Sequence, residues 1–138
     1  MNFDPNNKIV QLCAKGMELV DDEAKAVFTQ AWKESITDFE RFVAAHYLAR
    51  HQNSVEEKLK WDEIALNHAL KSGEDVSGAF PSLYLNIGKC YEDLGDFSLA
   101  LKNYKIGLSF TDELSNGGYE SLIRNGILNG LHRITQNT

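Results

Sequence analysis

Few folds accommodate residues 80–110, FPSLYLNIGKCYEDLGDFSLALKNYKIGLSF. Tyr84, Ile87, Gly88 and Tyr91 recur at offsets of three and four, the period of a helix with one apolar face. Leu94-Gly95-Asp96 interrupts that pattern, and a glycine there can take the left-handed conformation that favours a helix ending. Phe97, Ala100, Leu101, Tyr104, Gly107 and Leu108 then resume it. Two short antiparallel helices joined by a tight turn are therefore expected. Gly88, Ala100 and Gly107 constrain the pair further, because backbones approach closely only where one side presents no bulk and rings of the other fill the gap.

The remainder of the chain carries the same signal in weaker form. Residues 7–20 predict a first helix on Ile9, Leu12, Cys13, Gly16 and Leu19, and Asp21-Asp22-Glu23 supplies an N-cap and a negative first turn for the next. That second helix carries Ala24, Val27, Phe28, Ala31 and Trp32. Gly16 to Ala24 spans eight residues where Gly88 to Ala100 spans twelve, so the first pair lacks a turn. Thr37 or Asp38 caps a third helix, residues 39–51, and Ser54 with Glu57 resembles a capping box for a fourth, residues 55–71. A linker is expected over residues 112–118. A last helix, residues 119–135, carries Tyr119, Leu122, Ile123, Ile127, Leu128, Leu131 and Ile134, with Gly126 and Gly130 on one face for close packing.

The small and aromatic residues of 80–110 resemble the tetratricopeptide repeat, a helix-turn-helix unit of about 34 residues. The resemblance covers residues 8–110, and the whole chain, with its HYLARHQ run and PSLYLNIGKCYEDLG segment, is similar to small bacterial proteins of this type. It implies a single all-α domain over 1–138: a right-handed stack of three helix pairs, about 8–35, 38–71 and 80–111, with a capping helix at about 119–135 over the exposed end. In the middle pair, His46 and Lys58 fall where Gly88 and Ala100 fall later, so its helices are expected to splay. His46 and Gly88 are 42 residues apart, and the surplus over one repeat is expected to lengthen the fourth or fifth helix. The resemblance also implies a non-catalytic module that binds a protein or peptide on the concave face lined by first helices.

Matched by their small residues, the groove-facing positions include Glu40, Val43, Tyr47, Arg50 and His51, then Ser82, Leu85, Asn86, Lys89 and Glu92. Tyr47, Arg50, His51, Asn86 and Lys89 are the binding candidates, since an aromatic, two cations and an amide suit a peptide backbone or a carboxylate. The competing expectation is that Arg50 and Lys89 pair with Glu40, Glu92 or Asp93 and only solvate the surface. The clamp with which some tetratricopeptide domains hold acidic chaperone tails is not reproduced, because its positions fall on Val43, Tyr47 and Ser82. Two alternatives stand beside the peptide groove. One is a homodimerising scaffold, since three repeats are near the minimum for stability. The other is a small-ligand or metal site around His46, Arg50 and His51, although His46 is expected as a packed, hydrogen-bonded core residue.

Catalysis is not indicated. No HExxH, paired Cys/His spacing, GxSxG, phosphate loop or dinucleotide fingerprint occurs, and no cofactor is expected. A net charge of −6 argues against a general nucleic-acid or anionic-membrane binder. Cys13 and Cys90 sit in apolar helical patterns and are expected as buried free thiols. With no membrane-length apolar run and no signal-peptide core, a cytoplasmic location is expected. Trp32 and Trp61 are expected to pack rather than to bind.

Overall fold

The computed structural model describes residues 3–111 and 117–137. Among them the chain is all-helical: α1 (Lys8–Met17), α2 (Asp21–Glu34), α3 (Asp38–Ala49), α4 (Val55–Lys71), a 3-10 turn (Ser77–Ala79), α5 (Phe80–Asp93), α6 (Phe97–Ser109) and α7 (Gly118–Asn137). Most of the linker expected over 112–118 lies outside the described residues. The chain divides into two compact units, Met1–Asp75 and Val76–Thr138.

In the first unit, local hydrogen bonds fix the helix starts. Asn7 Oδ1 accepts from the Ile9 and Val10 amides at 2.8 and 3.1 Å. Thr37, of the two expected caps, holds α3: its Oγ1 accepts from the Glu40 amide at 3.1 Å while Glu40 Oε1 accepts from the Ile36 and Thr37 amides. Ser54 caps α4 through the Glu57 amide. Asp21, Asp22 and Glu23 form the negative first turn expected of α2 but do not cap it. Val20 occupies the cap position, with no side-chain cap, and Asp21 stands at φ +50°, the left-handed region that Asp tolerates better than most residues. At 10 residues α1 is four shorter than the 14-residue α5, the missing turn expected of the first pair.

α3 packs against α1, α2 and α4, which explains why Phe42, Val43, Ala44, Ala45, Leu48 and Ala49 are all buried. α3 and α4 run along each other as extensively as α5 and α6 do, so the expected splay is not found. Ala44, Ala45, Ala49, Ala65 and Ala69, all buried, supply the small surface that His46 and Lys58 do not.

The expected helix lengthening is met in part: α4 has 17 residues against 13 in α6. After α4 ends at Lys71, the rest of the surplus forms a loop and the Ser77–Ala79 turn that leads into Pro81 in the first turn of α5. Gly95 at φ +82° ends the α5–α6 turn as the sequence requires, and Asp96 Oδ1 caps α6 by accepting from the Leu99 amide at 3.1 Å. α7 packs on both α5 and α6. Its core is Tyr104, Ala100, Ile127 and Ile134, with Leu85, Tyr91, Leu101, Ile123 and Leu131 around them.

Candidate functional site

The two units reach the same packing device from different sequences. In the first, a methyl carbon built on Gly16 would meet Phe28 Cε1 at 2.6 Å; in the second, one built on Gly88 would meet Tyr104 Cδ1 at 2.7 Å. Each ring lies over a glycine of the preceding helix, which is why no larger residue fits there. Tyr104 is covered from the other side by Gly130 of α7, and its hydroxyl donates to Glu92 Oε1 at 2.8 Å. Arg133 completes the arrangement, donating from Nε and Nη2 to the Glu92 carboxylate at 2.8 and 3.0 Å. Arg133 is the chief reason the Glu92 carboxyl is held below its ordinary range, and burial raises the Tyr104 hydroxyl far above its own.

The candidates of the first unit gather at the end of α3. Tyr47 stacks on Phe28 with ring centroids 5.3 Å apart and planes 9° from parallel, and His51 lies against the same ring at 5.1 Å. Both are half-buried. Arg50 places Nη2 against both carboxylate oxygens of Asp62 on α4. The Asp62 side chain is fully buried and that of Arg50 is 37% exposed, so this guanidinium is oriented from beneath by a carboxylate that solvent does not reach. The expected pairing of Arg50 with Glu40, Glu92 or Asp93 is thus replaced by one with Asp62. Of the other positions expected on this face, Val43 is buried in the core. Glu40 is engaged in the α3 cap and accepts from Asn7 Nδ2 at 3.1 Å; burial pushes its carboxyl up, but those hydrogen bonds outweigh it and the net shift is downward.

His46 departs from expectation in one respect. Its ring packs against Tyr47 at 5.3 Å and Phe42 at 6.3 Å, as a core residue would. Its Nδ1 is enclosed and makes no hydrogen bond among the described residues. Burial, assisted by the Arg50 charge, pushes its pKa down to about 4.

In the second unit, Asn86 is half-buried on α5, and Lys89 is exposed and pairs with Asp93 one turn on, the solvating contact anticipated for it. Cys13 and Cys90 are buried thiols, and burial raises that of Cys13 to about 12. Trp32 and Trp61 meet edge to face at 5.0 Å.

Sequence reasoning passed over the hydrogen bond between His68 Nδ1 and Asp38 Oδ1, at 2.7 Å. Asp38 lies in the first turn of α3 and His68 in the last turn of α4. Thirty residues separate the two, and no local pattern pairs them. Among the described residues no group of three or more His, Cys, Asp or Glu is placed to hold a metal ion, and no helix is long and apolar enough to cross a membrane. No family model, curated protein or solved structure matches the chain.

Proposed function

We propose that the chain is a non-catalytic peptide-binding module, a short right-handed tetratricopeptide-like stack that uses the concave face such a stack presents. The observation that carries the reading is the recurrence of the ring-over-glycine contact, Phe28 on Gly16 and Tyr104 on Gly88, with the glycine on the first helix of a pair and the ring on the second. In a stack of this kind the first helices line the binding face. Within the first unit α3 offers Tyr47, Arg50 and His51, and within the second α5 offers Asn86 and Lys89. Arg50 suits the role best. Asp62 fixes its Nη2, and the rest of a partly exposed guanidinium is left in a set orientation for a peptide carbonyl or carboxylate.

A peptide-display selection against the full chain tests this. Peptides enriched on the wild type should bind at least tenfold more weakly to Arg50→Gln, and separately to Lys89→Glu, with both variants matched to wild type by circular dichroism. Peptides held equally by all three proteins, or no enrichment at all, would refute the proposed face.

A further inference from the structure

The half-buried imidazole of His46 on α3, with its enclosed Nδ1, carries an inference that does not depend on peptide binding. His46 sits between Phe42 and Tyr47, and Tyr47 in turn stacks on Phe28, the ring that lies over Gly16. Rings from α2 and α3 and a glycine of α1 thus meet in one cluster that holds two imidazoles, His46 and, on the far side of Phe28, His51; of the two, His46 is the one with an enclosed, unpartnered ring nitrogen among the described residues. Nδ1 is enclosed without a hydrogen-bond partner, so no acceptor stands ready to receive an N–H from an imidazolium.

The charges around it offer no relief. On its own helix, Arg50 lies one turn on and acts against a second positive charge. α4 contributes Asp62, whose carboxylate is engaged by Arg50. Among the described residues no charged group of α1 or α2, the other helices of the unit packed on α3, acts on the ring. A protonated His46 would therefore carry an Nδ1–H that no acceptor meets, close to the Arg50 charge, a cost that turning the ring out of the stack relieves.

We propose that His46 is an acid-operated release for the first unit: on taking a proton its ring leaves the stack, and α3 loosens from α1 and α2, with Tyr47 and His51 drawn off Phe28.

The sign of the linkage follows from the two states. The packed form binds the proton weakly, with its pKa near 4, whereas an opened form would bind it at the ordinary value of 6.5. The open form therefore holds more protons throughout that window. Stability contributed by neutral His46 is complete above pH 6.5 and is lost as pH falls toward 4. Between pH 7 and pH 5 the open population should rise about 20-fold.

Hydrogen exchange on the full chain tests this between pH 7 and pH 5, with rates corrected for the intrinsic pH dependence of exchange. The α3 amides from Phe42 to Leu48 should show the 20-fold rise in opening, and the α6 amides around Tyr104 should not. In His46→Gln and in His46→Phe, two replacements that cannot titrate, the rise should vanish. A flat α3 profile in the wild type would overturn the proposal, as would a rise of equal size in either folded variant. Should neither variant fold, an NMR titration of His46 in the wild type decides: a ring still neutral at pH 5 supports the release, and one protonated by pH 6 with α3 intact refutes it.

Discussion

A methyl group added at position 130 would sit 2.7 Å from Tyr104 Cε2, closer still to Cζ, and within 2.8 Å of Cε1. Tyr104 cannot yield. It is fully buried, Gly88 faces its other side, and its hydroxyl is tied to Glu92. Gly126, one turn earlier on the same face of α7, meets only the tip of Leu85, at 3.1 Å from Cδ2, and a rotation of that leucine relieves the contact. Alanine gains about 1 kcal/mol over glycine within a helix. Overpacking against a fixed ring costs about 1–3 kcal/mol, at the upper end when the ring is held on both faces. Gly130→Ala should therefore lower stability by about 1–2 kcal/mol net, and Gly126→Ala should leave it unchanged or raise it by up to about 1 kcal/mol. Chemical denaturation of the two variants checks this, and equal effects of the same sign would show that Tyr104 is not clamped.

At the level of helices, the difference between what was legible in sequence and what was not is one of range. Gly16 with Phe28, and Gly88 with Tyr104, could be read as small and aromatic slots because both members of each pair lie within one helical hairpin, where the 3.6-residue period fixes the faces. The helix endings at Gly95 and Thr37 were equally local. By contrast, Arg50–Asp62, His68–Asp38 and Arg133–Glu92 depend on which turn of one helix lies beside which turn of another, at separations of 12, 30 and 41 residues. A crossing register sets those pairs, and a one-dimensional pattern does not contain it. Asp21 was misread for a related reason. The rule that acidic residues cap helices gives composition, but φ +50° at Asp21 is decided by how the chain turns from α1 into α2. The capping box of α3 is a local device whose contribution can be isolated. Thr37→Ala removes the acceptor of the Glu40 amide and should lower stability by about 1 kcal/mol. Thr37→Ser keeps the acceptor and should restore most of it; if serine behaves like alanine in thermal melts, the box does not hold the helix.

For the whole molecule, the charged groups divide acid unfolding into two pH windows with different owners. Between pH 6.5 and about 4.5 the carboxyl groups held below their ordinary value, Glu34, Glu40 and Glu92, remain ionised, and neutral His46, with its enclosed Nδ1, resists protonation. Below the ordinary carboxyl value of 4.5 those glutamates take over. Each has a folded pKa beneath its unfolded one, so its contribution is present above 4.5 and lost as pH falls through the folded value. Glu92 is the best test of the lower window because its side chain is only 11% exposed and its partners, Arg133 and Tyr104, lie on two other helices. Arg133 is 42% exposed, so part of the ionic attraction is screened and the hydrogen bonds matter more. Glu92→Gln should therefore lower stability at pH 7 by about 1–2 kcal/mol, the low end of the worth of a charge-assisted hydrogen bond once screening is counted. The deficit should shrink as pH falls from 4.5 toward 3, because the wild type loses the same interaction there. Urea unfolding followed at half-unit pH steps separates the windows: His46→Gln should flatten the profile above pH 4.5 and leave the lower limb, while Glu92→Gln should do the reverse. A Glu92→Gln curve parallel to wild type down to pH 3 would show that the Arg133–Glu92–Tyr104 cluster holds α7 by packing alone.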